Sequence, residues 1–500
     1  MSGFDPAFAA LPLDALADAG LSVAAAGGAS HADVRVERVV HRYLSLHDAV
    51  LDTALDATDV GVAVRVVVDG CWGFAATTST TADAAADAAR RALALAAVAR
   101  PLATEAVRLA DEPAHRGQWL GPCLRDPVDA PREDVVGQLA EWSATLLGAD
   151  GVAHANATLS AVREAKFYAD LAGSRTLQQR VRLDPDLTVI ALSDGARPFA
   201  SQRSVAPPTA RGLEYLDGDG WDFAAELATL PALLAEAIAA PSVTPGRYDL
   251  VIDPTNLWLT IHESVGHATE LDRALGYEAN YAGTSFATPD QLGSLRYGSA
   301  AMTVTGDRTV AHGLATTGWD DDGVATQSFD LVRDGVLVGY QLDRVTAARA
   351  GLARSNGCAF ADSPGHMPIQ RMANVSLAAD PTGPDLAGLI AGVEDGLYVV
   401  GDRSWSIDMQ RYNFQFTGQR FYRIRAGRLA GQVGDVAYQA TTTDFWGSME
   451  AVGGPATYLL AGATNCGKAQ PGQVAAVSHG SPAALFRGVR VLNTASEGAA

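Results

Sequence analysis

The hexapeptide His262-Glu263-Ser264-Val265-Gly266-His267 combines the residue types of a zinc hydrolase: two imidazoles for a metal and a carboxylate directly after the first. Its spacing is unusual, with one residue more between the histidines than in the familiar HExxH. At about 100° per residue, positions five apart on a regular helix face roughly 140° away from each other and lie ~7.5 Å apart along the axis. Both rings can reach one ion only if the turn is distorted. A π-bulge, with its i to i+5 closure, returns them to one face, and Gly266 is the residue in that turn least opposed to distortion. Spacing alone fits equally a long helix with two solvated or hydrogen-bonded histidines, so the question turns on a third ligand.

A catalytic zinc (Zn²⁺) commonly has three protein ligands and a water, and the third ligand can lie far along the chain. Candidates are Glu270, Asp272, His312, Cys358, His366, Glu450 and Cys466. Cys466 sits in GATNCGKAQPGQ, whose glycines let the backbone approach another element closely. A thiolate there would bind zinc well; a small buried side chain in a tight loop is the alternative. The same segment raises a different class of chemistry, because residues 462–468, GATNCGK, match the first seven positions of the phosphate-binding GxxxxGK[ST] loop. Two features oppose a nucleotide hydrolase: Ala469 stands where a hydroxyl should hold Mg²⁺, and Pro471-Gly472 interrupts the helix that should support the phosphates.

A helix has to carry the hexapeptide. Asp253-Pro254 supplies a cap and a first-turn proline, Trp258, Ile261, Val265, Ala268 and Leu275 recur at helical spacing, and Gly276 is placed to end the run. Beyond it the signals are those of hairpins, with Asp334-Gly335 and Ala426-Gly427 each between two β-rich runs. Upstream, strand-like text at 33–46, 60–68, 72–77, 153–169 and 176–193 alternates with helical patterns at 81–98, 132–147 and 222–240. Glycine, proline, serine and aspartate dominate 194–220, and PSVTPGRYD reads as a linker between Pro241 and Gly246. The expected fold is therefore α+β in two domains. Residues 1–240 form an α/β domain with helices packed on a sheet, and residues 241–500 a largely antiparallel β domain carrying the HExxxH helix.

With 37 basic and 57 acidic residues, a formal net charge of −20, the chain offers no basic surface for a phosphate backbone, which argues against nucleic acid as a partner. The first residues lack a basic segment followed by an apolar run, so neither a secretory signal nor a membrane span is expected, and the cytoplasm is the expected location. Four cysteines in 500 residues fit a reducing compartment.

Taken together, HESVGH and TNCGK resemble the TldD/PmbA family, and in particular its TldD-like catalytic members. HESVGHATELDRALGYEANYAGTSF, the DDDG and LVRDGVLVGYQLDR stretches, SNGCAFADSPGHMPIQRMAN and NCGKAQPGQ follow in family order, and DVRVERVVHRYLSL through VGVAVRVVVDGCWGFA resembles its first domain. The resemblance implies a metallopeptidase with His262, His267 and Cys466 on zinc and Glu263 as catalytic base. It also implies pairing with a PmbA/TldE-like subunit that lacks the metal motif, with a homodimer as the other arrangement. One departure is the stretch between His267 and Gly283, where residues 277–282 are inserted or reshaped. A peptidase acting on small or unfolded peptides, a metal-binding scaffold subunit, and a hydrolase for a peptide-derived natural product all fit this pattern. Lys468, His366 and Arg371 could supply cations for a peptide carboxylate or an oxyanion, or serve only to hold loops. The β-rich second domain suggests that an extended peptide adds as a strand to an edge beside the helix.

Overall fold

A computed structural model describes residues 3–194 and 197–497. The first half is a seven-stranded sheet in the order Cys71–Thr77, Val50–Val68, His31–His47, His154–Asp170, Arg175–Leu192, Arg116–Leu120, with Phe199–Arg203 also paired to Arg175–Leu192. Only the Arg116–Leu120 pairing is parallel. The second strand starts at Val50, ten residues before the β-rich text suggested. Residues 50–58 are exposed on both faces, so no apolar alternation marks them, and pairing with His31–His47 alone extends the strand.

One face of this sheet is apolar. Val34, Val36, Leu44 and Leu46 share it, covered by the helices Leu13–Ala26 and Ala82–Ala99 at one end and Arg132–Leu147 and Phe223–Ala239 at the other. Alanines at 85, 88, 89, 92 and 96 are all fully or almost fully buried, which lets the Ala82–Ala99 helix lie close on the strands. The opposite face carries charged residues that are buried as well. Arg35 donates to the carbonyls of Ser363 and His366, Lys166 to Asp321 and the Ala361 carbonyl, and Arg65 to Asp33 and Asp322. Buried charge is tolerable only when paired in this way, so this polar layer fixes how the second half docks.

In the second half, Asp395–Ile407, Gly246–Ile252, Ala484–Asn493, Val436–Thr441 and Asn413–Arg425 pair in that order, and Asp395–Ile407 pairs back onto Asn413–Arg425. The five strands thus close into a ring whose only parallel contact joins Gly246–Ile252 to Asp395–Ile407. Both expected hairpins form, with positive φ at Asp334 and Gly335 and at Ala426 and Gly427, as two-residue turns of this kind require. The chain leaves Gly246–Ile252 through Asp253, whose carboxylate caps the helix Pro254–Ile261 by accepting from the Thr255 N–H and also accepts from the Tyr398 hydroxyl. Every residue of that helix is buried. Leu257 and Ile261 share one core with Leu250, Ile252, Phe414, Phe416 and Tyr438 of the ring. Among the described residues no helix is long and apolar enough to cross a membrane.

Candidate metal centre

Helical geometry changes where the hexapeptide begins. His262–Gly266 is a single π turn, closed by the His267 N–H on the His262 carbonyl, and a 3₁₀ turn His267–Thr269 follows. This is the distortion that five-residue spacing demands. Side chains stabilise it by taking up the carbonyls that a π turn leaves short of partners: Gln341 donates to Gly266, Thr269 to Val265 and Tyr297 to Ser264. The Ser264 hydroxyl, held by the Trp446 indole N–H at 2.9 Å, anchors the middle of the turn. Gly266 itself has ordinary helical angles, φ −54° and ψ −60°, so its conformational freedom is not what the turn needs. Space is the reason for glycine there, because a Cβ would lie 2.4 Å from the Met372 sulfur.

The distortion brings the His262 and His267 rings to a centroid separation of 4.7 Å at an interplanar angle of 76°. Cys466 joins them from the strand Leu459–Lys468, its Sγ 3.6 Å from His267 Nε2, and one ligand atom from each of the three lies within 4.8 Å of the others. All three are buried. The GATNCGK segment is thus an antiparallel strand paired with Gln473–Ser481, with no helix after it to support phosphates. None of Asp272, His312, Cys358, His366 and Glu450 joins the cluster.

Each histidine is oriented through Nδ1. His267 Nδ1 donates to Glu270 Oε2 at 2.8 Å, and His262 Nδ1 donates to His479 Nε2 at 2.7 Å, while His479 Nδ1 in turn donates to the Val375 carbonyl. Both rings therefore turn an unprotonated Nε2 away from these supports, the tautomer a metal needs, and that of His267 faces the Cys466 sulfur. Burial lowers the pKa of both His262 and His267. At Cys466 burial alone would raise the thiol, but His267 and the Arg371 guanidinium outweigh it and hold the pKa below its usual value. Burial works against Glu270 too, yet Lys468, His267 and Arg273 hold its carboxylate well below the ordinary range. Sequence reasoning missed His479, since a histidine in a β-strand, 217 residues from its partner, carries no local signal.

Lys468 proves structural: fully buried, it donates to Glu270, Asp272 and the Gln370 carbonyl, leaving nothing for a substrate. Arg371 donates to the Cys466 carbonyl and to that of Gln473 on the paired strand, holding the two together. His366 bonds Asp362 and does not line the site.

The cluster opens into a cleft of about 560 Å³ between the two halves. Asp184, Asp186 and Arg203 of the first half form one wall; residues 461–467 and Trp405 form much of the other. Glu263 faces this cleft with its Oε2 held 2.6 Å from Arg411 Nη1. Arg411 has φ 63° in the turn that follows Asp395–Ile407, and the N–H groups of Thr284 and Phe286 pin that turn through the Met409 and Gln410 carbonyls. Burial raises Asp186, which Arg203 only partly offsets, to a pKa of about 6.

Two imidazoles, a thiol and an adjacent carboxylate at the foot of a cleft are a donor set that could hold a metal ion. Residues 245–493 match the PmbA/TldA metallopeptidase C-terminal domain and residues 32–96 match PmbA/TldA metallopeptidase domain 1. The chain belongs to the TldD/PmbA metallopeptidase family. It is 26% identical over 465 residues, 93% of this chain and 96% of the relative, to a metalloprotease of Methanothermobacter thermautotrophicus. A metalloprotease of Archaeoglobus fulgidus is 28% identical over 75% of this chain and 82% of its own length. The fold is also that of TldE from Thermococcus kodakarensis, with a TM-score of 0.73 at 15% identity over 95% of this chain and 99% of that one.

Proposed function

We propose that this chain is a cytoplasmic zinc peptidase that hydrolyses small or unfolded peptides, with residues 1–240 and 241–500 as its two domains. The observation that carries the reading is the convergence of His262, His267 and Cys466, two imidazoles oriented through Nδ1 and a thiol of lowered pKa, beside Glu263. This donor set fits zinc, which takes imidazole nitrogen and thiolate sulfur together. Bound there, zinc would bring the pKa of a water toward about 7 and polarise a peptide carbonyl. Glu263 takes the proton of the attacking water and returns it to the leaving nitrogen. Arg411 engages Oε2 of that carboxylate and leaves Oε1 for the proton. The thiolate donates more charge than a third imidazole would, and it exposes the centre to oxidation. A purely structural metal has no use for a carboxylate aimed into the cleft, which disfavours the scaffold reading.

Substrate backbone has a natural place. Among the described residues Leu459–Lys468 pairs with Gln473–Ser481 alone, and residues 461–467 of it line the cleft, so an extended peptide adds as a third strand beside Cys466. Such binding demands an unfolded backbone and little sequence. A disordered protein should therefore be cut and a rigid folded domain of equal size resist; equal cleavage of a domain in its folded and denatured forms would contradict this. The resemblance in fold to TldE supports a partner subunit without the metal motif, or a second copy of this chain, as the companion in a dimer.

Metal analysis together with peptide cleavage tests the reading: about one zinc at this centre, the occupancy of a single three-ligand site, and cleavage lost on chelation. Activity that survives complete metal removal would defeat it. The hydrogen bond from His262 to His479 gives a sharper check. His479→Ala should weaken zinc binding by about 10–100-fold, the usual cost of losing such a support, measured by competition with a chromogenic chelator. Unchanged affinity would mean that His479 only fills space.

A further inference from the structure

At the tip of the long hairpin of the first half, three side chains converge that take no part in the cleft. His47 ends the strand His31–His47, Asp48 and Ala49 form the turn with φ of 50° and 63°, and His154 opens the neighbouring strand His154–Asp170. One ligand atom from each of His47, Asp48 and His154 lies within 4.8 Å of the other two. Asp48 Oδ2 is the meeting point, 2.8 Å from His154 Nδ1 and 3.3 Å from His47 Nε2. The two imidazoles stack, with centroids 5.2 Å apart.

Hydrogen bonds from outside the cluster fix this arrangement. The Asp48 N–H donates to the Ala155 carbonyl and Asp48 Oδ1 accepts from the Ala155 N–H, both at 2.9 Å, so the carboxylate cannot turn away. The Ala49 N–H donates to the Ser143 hydroxyl, which itself donates to the Ala155 carbonyl and docks the turn on the helix Arg132–Leu147. His47 Nδ1 is 2.7 Å from Asn156 Oδ1. An amide oxygen only accepts, so Nδ1 carries the proton of that bond, and Nε2 is the ring nitrogen turned toward Asp48 Oδ2, 3.3 Å away, where a metal ion can take both as ligands. Orientation through the far ring nitrogen is, moreover, the support that metal-bound histidines receive, and it is the device used at the cleft by His262 and His267.

We propose that His47, Asp48 and His154 form a second metal site, distinct from the cleft, for a borderline divalent cation such as Zn²⁺, Co²⁺ or Ni²⁺. Two imidazoles and one carboxylate suit these ions, whereas Mg²⁺ and Ca²⁺ take oxygen ligands. Side-chain exposures of 56% at His47, 41% at His154 and 27% at Asp48 make the ion reachable from solvent and leave positions for water or a further ligand. Bound there, it ties the hairpin turn to the strand beside it.

The test is metal content of the full-length protein after equilibrium dialysis against micromolar Zn²⁺. The variant carrying His47→Ala and His154→Ala should hold one equivalent fewer than the wild type. Equal metal content in the two proteins would overturn the proposal. Both histidines are substantially exposed, so the variant should keep its fold, and circular dichroism checks that. Cobalt separates this site from the centre at the cleft, because only Cys466 can give a thiolate-to-cobalt charge-transfer band. Cys466→Ala should lose that band yet still take up one Co²⁺, and a Cys466→Ala protein that takes up none would also overturn the proposal.

Discussion

Replacing Glu263 with glutamine should lower turnover by about 10²–10⁴-fold, the range that a general base supplies, while metal content and fold stay as in the wild type. The substitution is isosteric, and the amide oxygen can still accept from Arg411, so the cleft keeps its shape. What disappears is the basicity that draws a proton from the attacking water. Since Glu263 points into the cleft and none of the three cluster atoms is its own, a drop in metal content is not expected. Steady-state cleavage of an unfolded protein substrate, with zinc quantified on the same preparation, makes the measurement. Turnover near the wild-type rate would demote Glu263 and direct the search to another base.

The second large effect contrasts two buried cysteines. Cys466→Ala should reduce the zinc held at the cleft to less than about a tenth of wild type, since a three-ligand site that loses its only anionic donor keeps two neutral imidazoles. Cys358→Ala should leave that zinc in place. Cys358 is fully buried, and burial pushes its thiol up to about 12, the opposite direction from Cys466. The difference lies in the surroundings: Cys466 faces His267, with Arg371 nearby, whereas Arg308 only partly offsets the burial of Cys358. Retention of full metal at the cleft by Cys466→Ala, or its loss in Cys358→Ala, would undo the ligand assignment.

Local sequence determined a good deal here. Most strands and helices between residues 31 and 240, the hairpins at Asp334-Gly335 and Ala426-Gly427, and the capped helix starting at Pro254 followed from periodicity and turn chemistry, whereas the helix Leu13–Ala26 and the short strands Arg116–Leu120 and Phe199–Arg203 did not. The π turn followed as well, because the angular arithmetic of a five-residue spacing leaves no regular helix on which His262 and His267 can meet. Glycine at 266 was legible as special, but for the wrong reason. Its need comes from the Met372 sulfur, which lies more than a hundred residues downstream and enters no local pattern.

What only the tertiary structure decided is the partner of each of these groups. The run Val34-Arg35-Val36-Glu37 alternates as a strand with one face in water would, yet Arg35 and Glu37 are buried, paired within the polar layer that docks the second half on the first. Alternation reports polarity, and polarity does not say whether water or an opposite charge satisfies it. The same limit hid His479 behind His262, Arg411 beside Glu263 and the first-half wall of the cleft, and it left Lys468 looking like a free cation when three buried acceptors already hold it. Spacing along the chain fixes which way a side chain leaves its own element; which group it meets depends on contacts between elements hundreds of residues apart, and those are set by packing.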